Sequence, residues 1–341
     1  MIRRLALLAC LALTVTACGG REEPSASAGA VEKLDLMLDY FPNADHAGIY
    51  AAIATGAFED VRLDVTPQVP NDPAAQLRLV EAGRADLAIS YEPEVMLARD
   101  RGAKVVAIGA LVQKPLTSVI SLGGKDAITA PEDLRGKKIG TAGIPYQDAY
   151  LKAILEKAGL TESDVTNVDV GFNLTPAMIS KRVDATLGSF WNVEGVELER
   201  RKEKPEILKV EDLGVPTYNE LVLVAGEKFA KDHGDLLRRF LQGLARGHEA
   251  LRADPEAGIQ PLLEANRDLG RGATEASVKA TLPVFFPADD RPFGWMEENE
   301  WLAYGRWMFD NGLLKRQEDP RKALTTEFLP GEGPRPTEDG S

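Results

Sequence analysis

DPAAQLRLVEAGRADLAISYEPE (72–94) and TPAMISKRVDATLGSFWNVE (175–194) are the two stretches that decide the fold. Each opens with a capping residue and a proline, runs through a helical pattern to a basic residue, and continues into a strand led by an aspartate. Each then ends on an aromatic residue with a glutamate three positions later, Tyr91 with Glu94 and Trp191 with Glu194. βα proteins also repeat such phrases by chance, and the pattern alone leaves that alternative open. In open α/β sheets the residues just past strand carboxyl ends line the ligand crevice. Two such ends, about 100 residues apart in the chain, point to two lobes that present similar groups to one shared cleft.

Outward from these stretches the same alternation continues. A strand at 34–38 is followed by a helix over 46–55 that stops at Gly56, and Asp72-Pro73 opens a helix ending near Gly83. Strands follow at 86–90 and 138–141, then a helix over 145–158 that ends at Gly159. Long helical patterns at 236–251, 255–264 and 298–311 close the chain. Short apolar runs alternating with helices make an α/β protein with mostly parallel sheets flanked by helices.

The 341 residues are 44% hydrophobic, 27% charged and only 6% aromatic, an ordinary globular balance that suits about two domains. Acidic residues outnumber basic ones by 53 to 40, a charge that repels phosphate backbones and excludes nucleic acid as the natural partner. Two cysteines and three scattered histidines (His46, His233, His248) cannot build a Cys/His zinc cluster, so no metal or other cofactor is expected. Arg3 and Arg4 precede an apolar run over 5–17, too short to span a bilayer and suited to export. It ends Val15-Thr16-Ala17-Cys18, which resembles the bacterial lipobox. Residues 1–17 are thus expected to be a lipoprotein signal peptide and Cys18 the lipidated residue; an ordinary signal peptide with an incidental cysteine is the alternative. Residues 18–30 read as a flexible tether and 330–341 as a disordered tail, because neither buries apolar surface.

Phosphate loops of the Walker and dinucleotide types and the Gly-x-Ser-x-Gly elbow are missing from the sequence. Gly140-Thr141-Ala142-Gly143 offers backbone N–H groups to an anion or a carbonyl oxygen, as any βα turn does. The densest cluster is DYFPNADHAGIY (39–50), at a strand's carboxyl end. Aromatic, amide and imidazole groups crowded there suit a polar planar ligand. Tyr40 and Asn43 read as ligand contacts and Phe41 as core packing, while His46 fits a cap, a core position or a contact equally well.

YFPNADHAGIYAAIATGAF (40–58), AISYEPEVMLARDRG (88–102), GTAGIPYQDAYLKAILEKAGL (140–160), GSFWNVEGVELE (188–199), GVPTYNELVLVA (214–225) and FFPADDRPFGWM (285–296) carry a family resemblance. In that order they resemble the periplasmic binding proteins of bacterial ABC importers related to thiamine-pyrimidine synthases, over roughly 34–314. The subgroup it most resembles binds formylaminopyrimidine or hydroxymethylpyrimidine, salvage precursors of thiamine. Its fungal relatives are enzymes that consume pyridoxal phosphate and a histidine of their own chain, which His46 matches in motif context. Those enzymes carry an iron-binding cysteine run where this chain has GVPTYNE (214–220). The resemblance therefore implies a binding protein rather than an enzyme. In the importer relatives Tyr40 is commonly a tryptophan.

The resemblance further implies a hinged, two-lobed periplasmic-binding-protein fold of type II, with residues 31–117 and 222–329 as lobe one and 118–221 as lobe two. The chain is expected to cross between lobes near 116–122 and 214–221. An aminopyrimidine needs aromatic faces, for which Tyr40, Tyr91, Tyr146, Trp191 and Tyr218 are the candidates. Its ring nitrogen and exocyclic amine need a carboxyl or amide, Glu194 first and Glu94 second, although either glutamate also fits as a first-turn helix acid. Asn43 and Asn219 are candidates for the formyl or hydroxymethyl substituent. An ABC permease and ATPase are the implied partners, the membrane is reached through the lipid, and the protein is expected to be a monomer. Riboflavin, or alkanesulfonate and nitrate, are the rival ligands. Anions call for an arginine, and none falls in DYFPNADHAGIY, SYEPE, SFWNVE or PTYNE around the aromatic candidates.

Overall fold

Runs such as LAIS, VVAIGALV and LVLVAG are buried along their whole length, the pattern of strands covered by helices on both faces. The computed structural model describes residues 30–316 and 319–331. Its strands are β1 (Glu32–Met37), β2 (Leu63–Gln68), β3 (Leu87–Ser90), β4 (Val105–Val112) and β5 (Thr117–Leu122), followed by β6 (Lys138–Thr141), β7 (Thr166–Asp169), β8 (Ala185–Phe190), β9 (Pro205–Lys209) and β10 (Leu221–Gly226). They form two five-stranded sheets, ordered β2-β1-β3-β10-β4 and β7-β6-β8-β5-β9.

Each sheet contains one inverted strand. β10 is antiparallel to β3 and β4, and β5 is antiparallel to β8 and β9, whereas β1 pairs in parallel with β2 and β3, and β6 with β7 and β8. Both inverted strands are entered from the other sheet rather than through a helical crossover, which is what parallel neighbours need. Residues 113–116 lead from β4 into β5, and residues 210–220 lead from β9 into β10. β3 and β8 hold the third place in their sheets, so the two repeated phrases feed equivalent strands. The α/β class with mostly parallel sheets is as the alternation predicts.

Helix Gly234–Ala253 buries Leu237, Phe240, Leu241, Leu244, His248 and Leu251 along one stripe of helical period. It packs against helix Ala47–Ala54 so closely that a Cβ on Gly48 would fall 2.2 Å from His248 Nε2. Residues near the C-terminus return to the first sheet, where Thr325 N–H donates to Ala107 O at 2.8 Å. Helices Pro145–Lys157, Glu256–Ala265 and Glu298–Asp310 lie within a residue or two of expectation. The helix expected from Asp72 begins only at Gln76 and ends at Glu81. Asp72 instead forms a turn, its carboxylate accepting from Ala74 N–H at 2.9 Å, a local bond that competes with the helix.

No helix among the described residues is long and apolar enough to cross a membrane. The expected signal peptide, Cys18, the tether up to residue 29 and the tail from 332 lie outside the described residues.

Candidate functional site

The loop after β1 is organised by a buried carboxylate. Asp39 Oδ1 accepts from His46 Nε2 at 2.9 Å, and Oδ2 accepts from the Tyr91 hydroxyl at 2.9 Å. Gln76 Nε2 donates to the Asp39 backbone carbonyl at 2.9 Å. His46 Nδ1 accepts from Asn43 N–H at 3.1 Å, which leaves Nε2 carrying the ring hydrogen. Asn43 caps the turn Ala44–His46, accepting from Asp45 N–H at 2.8 Å and donating to Phe41 O. His46 is therefore held within the fold with both ring nitrogens engaged, and does not line the cavity.

Between the lobes lies a cavity of about 870 Å³. Tyr40, Phe41, Pro42 and Asn43 form the lobe-one wall; Phe172, Thr175, Glu194, Glu197 and Arg200 form the lobe-two wall. The 266–277 segment, with Asn266, Thr274 and Ser277, completes it. At the lip the Tyr40 hydroxyl donates to Phe172 O at 2.6 Å, and both Tyr40 and Phe41 have ring centroids 4.8 Å from that of Phe172. Burial pushes the Tyr40 phenol up, with Glu194 and Asp39 adding negative charge. Phe41 is 46% exposed, which corrects its reading as a core residue: its ring faces the cleft rather than the sheet.

Glu194 follows β8 in a wide helical turn, Trp191–Gly195, which closes on its own strand end: Phe190 N–H donates to Glu194 Oε2 at 2.7 Å. Burial raises this carboxyl to about 7, against the pull of the backbone N–H donors. Of the other residues singled out from sequence, Tyr91, Glu94 and Tyr146 form a seam where the lobes meet. Glu94 Oε1 accepts from Tyr146 N–H at 2.9 Å, and the Tyr91 and Tyr146 centroids lie 5.1 Å apart. Burial takes the Glu94 carboxyl to about 7 as well. The turn at 140–143 is likewise used internally, with Ala142 N–H donating to Gln147 Oε1 at 2.7 Å.

Trp191, Tyr218 and Asn219 gather at the two chain crossings instead of the cavity. Trp191 Nε1 donates to Pro115 O at 3.1 Å, and the Lys209 ammonium sits 4.3 Å from its ring centroid. The Tyr218 hydroxyl donates to Glu220 at 2.9 Å. Asn219 N–H donates to Glu92 at 2.7 Å, its Nδ2 to Gln113 O at 3.3 Å, and its Oδ1 accepts from Trp301 Nε1 at 2.8 Å. The cavity thus gathers Tyr40, Asn43 and Glu194 from the candidates.

Sequence reasoning did not reach Phe172, Thr175 or the 266–277 wall. Phe172 lies just past the carboxyl end of β7, so the strand-end rule was the signal available for it. Arg200 and Arg201 also line the cavity, Arg201 paired with Glu197 at 2.6 Å. The lack of arginine beside the aromatic candidates therefore does not carry over to the folded site, because these two follow at the end of the helix after Glu194.

The family model described as NMT1/THI5 like matches residues 43–258. A formylaminopyrimidine-binding protein from Halalkalibacterium halodurans is 34% identical, over 87% of this chain and 91% of that protein. A 4-amino-5-hydroxymethyl-2-methylpyrimidine phosphate synthase from Uromyces fabae is 28% identical, over 88% of each chain. Among solved structures, the periplasmic aliphatic sulphonate binding protein from Escherichia coli superposes with a TM-score of 0.66. That match has 17% identity and covers 87% of this chain and 98% of the other, so the two share a fold.

Proposed function

The chain belongs to the NMT1/THI5-like family, and from that membership we propose that it is the substrate-binding component of an ABC importer, taking a thiamine pyrimidine precursor, formylaminopyrimidine or hydroxymethylpyrimidine. The observation that carries this reading is Glu194: a half-buried carboxyl, raised to about 7, on the lobe-two wall of a cavity whose lobe-one wall is Tyr40 and Asn43. A carboxyl meets the ring nitrogen and exocyclic amine of an aminopyrimidine together, while Tyr40 and Phe172 supply apolar ring surface. Ligand contacts to both walls favour the closed arrangement only through bonds the open one lacks.

Capture without turnover is supported by GVPTYNE (214–220), which stands in place of an iron-binding cysteine run, and by the setting of His46. The equivalent histidine feeds synthesis in the fungal enzymes as the motif resemblance implies; here its two nitrogens are bonded to Asn43 N–H and Asp39 inside the fold. A second reading, a sulfonate or another small anion, is favoured by Arg200, which is exposed at the cavity wall and has no ion-pair partner among the described residues. A lipid on Cys18 would hold a monomeric receptor at the membrane beside its permease and ATPase. High-salt washing should leave the protein on membranes, and release by salt alone would contradict the anchor.

Calorimetry on Glu194→Ala tests the ligand assignment. Loss of a charge-assisted bond of about 2 kcal/mol weakens hydroxymethylpyrimidine binding by about 30-fold. Unchanged affinity removes the pyrimidine site, and selective binding of alkanesulfonates in the same cell replaces it with the anion reading.

A further inference from the structure

Another polar contact between the lobes is entirely buried. Asp45, in the turn Ala44–His46 of lobe one, and Asn192, just past β8 in lobe two, are both 0% exposed. Asn192 Nδ2 donates to Asp45 Oδ1 at 2.6 Å and lies 2.7 Å from Thr281 Oγ1. The other two oxygens of the pair, Asp45 Oδ2 and Asn192 Oδ1, have no hydrogen-bond partner. Among the described residues no cation answers the carboxyl. The charged groups that act on it are Asp39, Glu194 and Glu220, all acidic. His46, the next residue, gives its ring hydrogen to Asp39. On the helices packed against the turn, Arg271 is engaged with Glu256 and Glu275 at the surface, and Glu264 and Lys279 are exposed. On the lobe-two side Glu197 is paired with Arg201, and Arg200 stands exposed at the cavity wall.

A carboxylate sealed among like charges is far costlier than the amide hydrogen bond and a long 3.4 Å contact from Thr281 Oγ1 return. One proton resolves both this cost and the two orphaned oxygens. We propose that Asp45 and Asn192 are a positioning pair for lobe closure: Asp45 enters the closed state as a neutral carboxylic acid and meets the Asn192 carboxamide in a reciprocal two-bond ring, Nδ2–H to Asp45 Oδ1 and Asp45 Oδ2–H to Asn192 Oδ1. Burial holds the carboxyl well above its ordinary range, the direction the ring requires. When the lobes part, Asp45 meets water and returns toward its ordinary value of about 3.9. Closing therefore takes one proton from solvent. Because the closed-state value is the raised one, the latch is complete below the open-state value and is lost as pH rises through the closed-state value. Between the two, closure weakens about tenfold per pH unit from this group.

The pair does not depend on which ligand fills the cavity, so the decisive readout is taken with whichever of hydroxymethylpyrimidine or an alkanesulfonate calorimetry shows to bind. Infrared difference spectra at neutral pH, ligand-saturated minus ligand-free, are expected to contain a protonated-carboxyl C=O band in wild type that Asp45→Asn lacks; identical spectra in the two proteins overturn the proposal whatever the ligand. Calorimetric titration with hydroxymethylpyrimidine in buffers of different ionisation enthalpy then counts protons. Wild type is expected to take up one proton more than Asp45→Asn, whose amide pairs with Asn192 without titrating, and above neutral pH Asp45→Asn binds more tightly than wild type. Equal proton counts in the two proteins overturn it. Asn192→Ala is expected to weaken binding at every pH, and unaltered binding in that variant also overturns the proposal.

Discussion

Glu194 shows how one residue's setting makes its chemistry. Its identity was legible from the aromatic-plus-glutamate phrase, but its value near 7 comes from burial in the wall, held back by the Phe190 N–H, and a sequence displays neither. A pH dependence follows. A carboxyl and an aminopyrimidine share their two bonds only when one proton lies between ring nitrogen and carboxyl oxygen. This group's raised value means the proton is present below about 7 and lost above it. The Glu194 contribution to pyrimidine affinity is therefore expected to be steady on the acid side and to fall as pH rises through about 7, measured by calorimetry across that range in Asp45→Asn, which lacks the slope from the Asp45 latch. Glu194→Gln, with a permanent donor and acceptor, should flatten this part of the curve. Asp39 was missed as an organiser for a related reason. Its partners Tyr91 and Gln76 are distant in sequence and reach it only in the fold.

At the level of elements, the crossings are joined by Glu220 as well as by Asn219. Glu220, from the segment before β10, accepts from Leu116 N–H at 2.6 Å, Thr117 N–H at 2.8 Å, Thr117 Oγ1 at 2.9 Å and the Tyr218 hydroxyl at 2.9 Å. It thus ties the 113–116 passage to the 210–220 passage at the point where the sheets exchange the chain. Burial takes its carboxyl to about 7, and the four donors restrain that rise. Glu220→Ala leaves two N–H groups and two hydroxyls without their acceptor in a dry site. The expected cost is about 3–5 kcal/mol, read as a lower denaturant midpoint. Tyr218 and Asn219 look like ligand groups in sequence because aromatic and amide residues serve hinges and binding sites alike. Only the positions of Glu220, Glu92 and Trp301 decide between these roles.

For the whole molecule, closure rests on contacts that join distant parts of the chain: Tyr40 with Phe172, Glu94 with Tyr146, Asp45 with Asn192. A ligand that adds bonds across the same gap binds the folded, closed protein and not the unfolded chain. At a concentration 100-fold above Kd it is expected to add about 2.7 kcal/mol to stability, seen as a melting temperature that climbs with ligand concentration. A non-binding analogue should leave the temperature fixed. By itself the sequence determined the α/β class, the twin strand-ends and the neighbourhood of the site, because strand and helix periodicity and capping are local and are written in consecutive residues. The tertiary structure alone decided which of those strand-end residues face the cavity, which brace the hinge and which meet in the buried seam. Those outcomes depend on two sheets being brought face to face by chain crossings, and no run of neighbouring residues encodes the distance between them.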